Sequence, residues 1–495
     1  LQWHPLSTLP LSSLPPSPLS PSSIHQGSVQ NISFLCALAS VVEKSEWINR
    51  LYAGRNEKGL HEIALFVNGV WQAVAVDDFI PCVNLLPLRP AFGYCANGDP
   101  RIALIEKAWA KVNGGYLELP KRNMRDALEA LTGGPVYWVG VSETPTEEET
   151  NGLFRDITNA LAQGRIVLCG KGTKPERGGE ELSTYWEDGA YSIKAIYELQ
   201  GKHGREALVK LRGKGGQMSA DWNRDSSKWA RIGDSIKLDQ DEQAMGWNEW
   251  MDSFGGVLIG PTDMKVSSAQ FEVLDGPMII NFQITTPGEY TFSVHQPFDQ
   301  DPLFSTLILA TSAPYALPLA TTHGHLTPLS LSSPCQSNQQ YSLIYYPPST
   351  ISSKNSKVVL GISVHGPAEV ETFVVEKLED GYVPEMFFHH ILSARQGDLV
   401  PFRGVSGQEV HPDVVCLEEL NRGPFCLFYY LNRSTSLTLT LSLSFPLLQG
   451  YTLLPPHTHH RTLTLSIPPG QDTIVIARVD SPHARIKYHR IPAIG

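Results

Sequence analysis

The sequence predicts an α+β fold: a body of mixed helices and strands over about 24–260, followed by an all-β region over about 261–495. Three observations carry this. Apolar residues recur at helical spacing in several separate segments of the first half, between runs that alternate like strands. Asn68-Gly69 lies between two such alternating runs, a strong hairpin signal. Beyond about 265 the helical pattern gives way to short runs bounded by turn residues, the signature of a β-sandwich.

The elements follow in order. Gly27 makes a turn into an apolar helix, Ile32 to Val42, that begins near Asn31. HEIALFVNGVWQAVAVDDFIP reads as two strands around Asn68-Gly69. RIALIEKAWAKVNGG places Ile102, Ile105, Ala108 and Trp109 on one helical face and stops at Gly114-Gly115. Thr146 and Glu149 form a capping box ahead of Leu153, Phe154, Ile157 and Leu161. AYSIKAIYEL and EALVKLRG alternate like paired strands. AQFEVLDGPMIINFQITTPGEYTFSVHQPF and VVLGISVHGPAEVETFVVEKL are strand-rich and contain no helical period.

Length and composition set limits. The 495 residues are enough for roughly three or four domains. A net charge of −11 argues against nucleic acid as a partner, and no apolar run approaches the ~20 residues a membrane span requires. The first residues lack the charged and apolar regions of a signal peptide; without a starting Met, the chain reads as a fragment, a processed form or an incomplete gene model. The seven cysteines are sparse, odd in number and form no CxxC pair, which suggests reduced thiols in a cytoplasmic protein. On that reading the sequons at Asn31 and Asn432 carry little weight. Residues 1–23, about 303–353 and about 433–469 are rich in Ser, Leu, Pro and Thr and poor in charge. Two readings stand for them: disordered linkers or insertions, or translated pyrimidine-rich intron.

Between these tracts the chain resembles the calpain family of papain-like cysteine proteases, in pieces spread over about 24–258. The family's Q-G-x-x-x-D-C-[WS]-F-L is met by Gln26-Gly27 and Phe34-Leu35, with Ser33 matching the Ser branch. FVNGVWQAVAVDDFIP, ALIEKAWAKVNGGY and EALTGG follow in family order; Trp222, Ser226 and Trp229 keep the W-S-D-x-S-x-x-W spacing, and AMGWNEWMDSF resembles the last signature. The resemblance implies a papain-like core of two subdomains, mainly helical at 24–135 and strand-rich at 136–260. A C2-like antiparallel β-sandwich would follow at 261–495, with room for a second.

The same comparison places the chemistry. Such a protease needs a thiolate, an imidazole to pair with it and an Asn to orient the ring. Asn31 and Ile32 stand where the family has Asp-Cys. Gly189 occupies the His position, in Asp188-Gly189-Ala190-Tyr191-Ser192-Ile193. Gly213 occupies the Asn position, and Gly215 replaces the Trp that shields it. Gln26 matches the oxyanion-hole glutamine. Losing one triad member alone costs about three to six orders of magnitude in rate. Two functional readings follow: a calpain-like pseudoprotease acting as a binding, scaffolding or regulatory module, and a calcium-dependent cysteine endopeptidase whose sequence is corrupted at codons 32, 189 and 213. Both imply an intracellular protein with protein partners, and the C2-like module adds peripheral membrane contact. The resemblance admits calcium, with no ligand assigned.

Other signals read as structural. Cys36, one turn after Ile32, is expected to be a buried helix cysteine, and His203 a solvated loop residue. Asp77-Asp78 reads as a turn rather than a catalytic or metal pair. CGKGTK lacks the spacing of a phosphate loop. HGH at 323 and HTHH at 457 have metal-binding residue types but sit in the low-complexity tracts. The EEE run at 147 suits a helix start.

Overall fold

The computed structural model describes all residues except 10–18, 29–30, 84–87, 141, 143, 171–188, 202–203, 214–221, 223–228, 230–235, 255, 264, 274–275, 298–302, 313–317, 326–327, 348–357, 371–372, 379–398, 404–407, 423–424, 455–459, 482–483 and 495. The chain divides into two compact units, Leu1–Lys265 and Val266–Gly495. Asp188, His203, Gly215, Ser226 and most of the CGKGTK and HTHH motifs lie outside the described residues.

The first unit is α+β. Helix α1 (Ile32–Val42) buries Phe34, Leu35, Ala37, Leu38, Val41 and Val42, and Phe34 stacks on Trp109 with ring centroids 5.6 Å apart. Trp109 belongs to α3 (Arg101–Val112), which α2 (Ser45–Leu51) precedes in sequence. The hairpin His61–Val67 and Val70–Val76 turns at Asn68 and Gly69, whose φ values of 53° and 77° are the left-handed pair that a two-residue turn requires. Helix α4 (Met124–Thr132) begins where the Asn123 side chain accepts from the Asp126 N–H and ends at left-handed Gly133. Helix α5 (Glu147–Ala162) carries the expected capping box, Thr146 with Glu149.

A six-stranded antiparallel sheet completes this unit. Its order is Glu242–Gly246, Gly204–Arg212, Ala190–Gly201, Val167–Gly170, Gly256–Ile259 and Tyr137–Gly140. Its core gathers Ile157, Cys169, Tyr191, Val209, Trp250 and Phe254; Trp250 and the Trp247 stacked on it come from α6 (Trp247–Ser253). The first residues also belong to this unit: Gln2–Pro5 pairs as a strand with Phe79–Val83.

The second unit holds two antiparallel sandwiches. In the first, a four-stranded and a five-stranded sheet enclose Ile280, Phe282, Phe292, Leu343, Tyr345 and Ile362. In the second, a five-stranded and a three-stranded sheet enclose Phe402, Phe428, Tyr430, Leu441, Leu443 and Val475. An apolar cluster that includes Ile308, Ile344, Tyr346, Leu427, Tyr429 and Ile476 joins the two.

The low-complexity tracts differ from the linker reading. Residues 303–353 supply the strands Phe304–Thr311, Pro318–His325, Leu329–Cys335 and Gln339–Tyr346. Residues 433–469 supply Leu439–Gln449, Tyr451–Leu453 and Thr462–Ile467. The physical reason is a period of two: Leu439, Leu441, Leu443 and Phe445 are buried, while Thr440, Ser442 and Ser444 alternate to the other face.

Candidate functional site

The approach to α1 is fixed by close backbone contact. A Cβ at Gly27 would lie 2.2 Å from the Ala91 carbonyl oxygen and 2.4 Å from that of Phe92, and the Ser28 N–H donates to Ala91 O at 2.5 Å. Only glycine allows that approach. Asn31 stands at the N-cap, yet its side chain does not cap the helix. It donates from Nδ2 to Glu106 Oε1 at 2.9 Å, and the Gly93 N–H donates to Glu106 Oε2 at 2.7 Å. Burial pushes the Glu106 carboxyl up to about 7 against the pull of these two hydrogen bonds. One buried carboxyl thus ties the start of α1 to the loop that grips Gly27.

A cavity of about 70 Å³ lies between α1 and the six-stranded sheet. Ile32, Leu35, Cys36 and Ala39 line it from the helix, Ile24 and Gln26 from the approach, and Ala190, Ser192, Arg212 and Gly213 from the sheet. Three of the four residues picked out by motif spacing, Gln26, Ile32 and Gly213, therefore share one cavity. The fourth, Gly189, adjoins it one residue before Ala190.

Space beside the two glycines is taken by Tyr191, which is fully buried. A Cβ at Gly213 would meet the Ala190 carbonyl oxygen and Tyr191 Cδ1, each at 2.6 Å. At Gly189 it would meet Tyr191 Oη at 2.8 Å, and φ there is +141°, which side chains rarely adopt.

The thiols are poorly disposed to react. Cys36 lines the cavity, but burial, reinforced by Glu43, pushes its thiol up to about 12. Cys169 is fully buried and its thiol is also raised by burial. Both are protonated at neutral pH, the opposite of the lowered pKa that a nucleophilic cysteine needs. Among the described residues lining the cavity there is no histidine.

Sequence reasoning missed the charges around the cavity. The ladder between the 190–201 and 204–212 strands slips between Ile193 and Ala195, and the bulge aims Lys194 at Glu43, just past α1. Arg212 pairs with Glu43, with Glu242 at 2.8 Å and with Asp241 at 3.4 Å, and Lys210 pairs with Glu242 at 2.7 Å. Burial would raise Glu242, but the Asp239 N–H, Lys210 and Arg212 outweigh it and hold the carboxyl low. The carboxylates facing Arg212 are committed to cations, and among the described residues no group of three His, Cys, Asp or Glu is placed to hold a metal ion. The arrangement can accept a small apolar group beside a carboxamide and hydroxyls; among the described residues that line it, no nucleophile is paired with a base.

The remaining sequence candidates are dispersed. Asp77 pairs with Lys107 at 2.6 Å and accepts from the Phe79 N–H, whereas Asp78 pairs with Arg55 at 2.8 Å. The His323 ring sits edge-on to Phe304 in the first sandwich. No helix among the described residues is long and apolar enough to cross a membrane.

A family model described as calpain family cysteine protease matches residues 5–258. Calpain clp-4 of Caenorhabditis elegans is 27% identical over 261 residues, covering 50% of this chain and 35% of that protein. The calpain-2 catalytic subunit of Mus musculus is 26% identical over 238 residues, covering 46% and 33%. Calpain-8 of Homo sapiens is 26% identical over 237 residues, covering 46% and 32%. The matched region spans about a third of the length of these relatives.

Proposed function

The chain belongs to the calpain family of cysteine proteases, and we propose that within it this protein is a pseudoprotease, a binding or scaffolding module without peptidase chemistry. One observation carries the reading: around a cavity bounded by Gln26, the positions matching the reactive residues are Ile32, Gly189 and Gly213, with the buried Tyr191 ring packed where side chains at the two glycines would go. Acyl transfer needs a thiolate and an imidazole in hydrogen-bond reach, and the raised Cys36 thiol is no substitute. We read the sandwiches of residues 266–495 as C2-like docking modules, with intracellular protein partners and peripheral membrane contact as their tasks.

The test is proteolysis of casein by the purified chain with and without calcium. No cleavage above the uncatalysed background is expected. Cleavage that disappears in Cys36→Ala would sink the proposal. So would a transcript sequence that restores Cys, His and Asn at codons 32, 189 and 213, which would favour the calcium-dependent endopeptidase instead.

A further inference from the structure

We propose that the free edge of the strand Arg485–Ile494 is a docking site for an extended acidic segment of a partner protein, which pairs with it as an added strand. The inference goes beyond the pseudoprotease reading and does not rest on it, since the strand belongs to the other compact unit.

Among the described residues, Arg485–Ile494 is an edge strand. It pairs with Leu439–Gln449 on one side only, in a sheet that ends with Thr462–Ile467 on the other flank. It is ten residues long, and ahead of Pro492, which has no N–H, the stretch Arg485–Ile491 presents a row of backbone donors and acceptors to a further strand. Its inner side is anchored. Ile486 and Tyr488 pack on the core of the second sandwich. Tyr488 Oη donates to Glu418 Oε2 at 2.9 Å, and Arg490 pairs with the same carboxylate while lying 5.0 Å from the Phe402 ring centroid. The edge is therefore a fixed template.

The outer side chains set the occupant. Arg485, Lys487, His489 and Ile491 alternate to solvent, and among the described residues the first three make no side-chain ion pair. The three strands of the sheet contain no acidic residue, although the chain carries a net charge of −11. Same-face residues along a strand repeat at about 6.8 Å, and a paired strand sets its own side chains about 5 Å opposite. An antiparallel partner would thus read, from its N-terminus, an apolar residue against Ile491 and then acidic residues at every second position against His489, Lys487 and Arg485. The same charges disfavour a second copy: pairing about a two-fold axis at Lys487 would set lysine against lysine and Arg485 against His489. A bilayer would use the charges but leave the backbone edge unpaired, so the peptide is the better fit.

The experiment is fluorescence anisotropy of a labelled Val-Thr-Glu-Thr-Glu-Thr-Glu-Thr peptide titrated with the full chain. Its control replaces every Thr by Pro, which keeps the charge and removes the backbone donors. We expect salt-sensitive binding, weakened at least about tenfold both by the proline control and by the double variant R485E/K487E. These side chains are exposed, so the variant should keep the thermal midpoint of the parent. The proposal is overturned if the proline peptide binds equally well, or if charge reversal leaves binding unchanged. It is also overturned if phosphatidylserine vesicles bind through Arg485 and Lys487 while the peptide does not, or if the chain sediments as a dimer that R485E/K487E dissolves. None of these outcomes bears on casein cleavage, so the two proposals fail separately.

Discussion

Asn31 stands where the family motif has an aspartate, and its neighbour explains what the amide does. Glu106 is buried and keeps its proton up to about pH 7, whereas in an unfolded chain it would lose it near 4.5. In that window the folded protein holds more protons than the unfolded one, so this group adds stability as the pH falls through it and loses it as the pH rises. The Asn31 amide eases the cost of the ionised form by donating to Oε1. Asn31→Asp would set a second carboxyl against the first. Urea unfolding should show a loss of about 1–3 kcal/mol at pH 8 that largely disappears near pH 5; a loss independent of pH would show that the two side chains do not share a proton. Much of the site was legible at this scale. Gln26 and Ile32 lie within one short motif, and Gly189 and Gly213 flank recognisable strand text. The pairs Asn31–Glu106 and Glu43–Arg212 were not, because each joins residues 75 and 169 positions apart, and a single sequence carries no signal for such a meeting.

At the scale of the element, the helices and hairpins of the first unit followed local rules that the sequence displays: the capping box at Thr146, the turn at Asn68-Gly69 and the apolar face of α3. The Ser/Leu/Thr-rich tracts misled because composition was weighed ahead of period. STSLTLTLSLSF is low in complexity, yet it alternates strictly, and that alternation is what a half-buried strand needs. Leu441 and Leu443 are fully buried in the second sandwich. Leu441→Ala should therefore cost about 2–5 kcal/mol in urea unfolding. A disordered insertion would absorb the same change without loss, so an unshifted midpoint would return the tract to the linker reading.

At the scale of the whole molecule, each compact unit encloses its own buried clusters: around Tyr191 and Trp250, around Trp222 and where Phe34 stacks on Trp109 in the first, and around Phe292, Tyr429 and Phe428 in the second. The cluster in which Ile344 and Tyr346 meet Leu427 and Ile476 makes the two sandwiches share buried surface, so they should melt together rather than one by one. No described residue of the unit holding the candidate site is among the members of that cluster. Calorimetry should then resolve two transitions, one for residues 1–265 and one for 266–495. Two substitutions assign them. Gly213→Ala forces a methyl to within 2.6 Å of the Ala190 carbonyl and the Tyr191 ring and should cost about 1–3 kcal/mol, lowering only the first transition. Leu441→Ala should lower only the second, each by about 2–4 °C per kcal/mol for units of this size. Independent cores make the effects separable. A third transition would mean that the shared cluster does not couple the sandwiches, and a common shift in both variants would mean that the site and the sandwiches fold as one body.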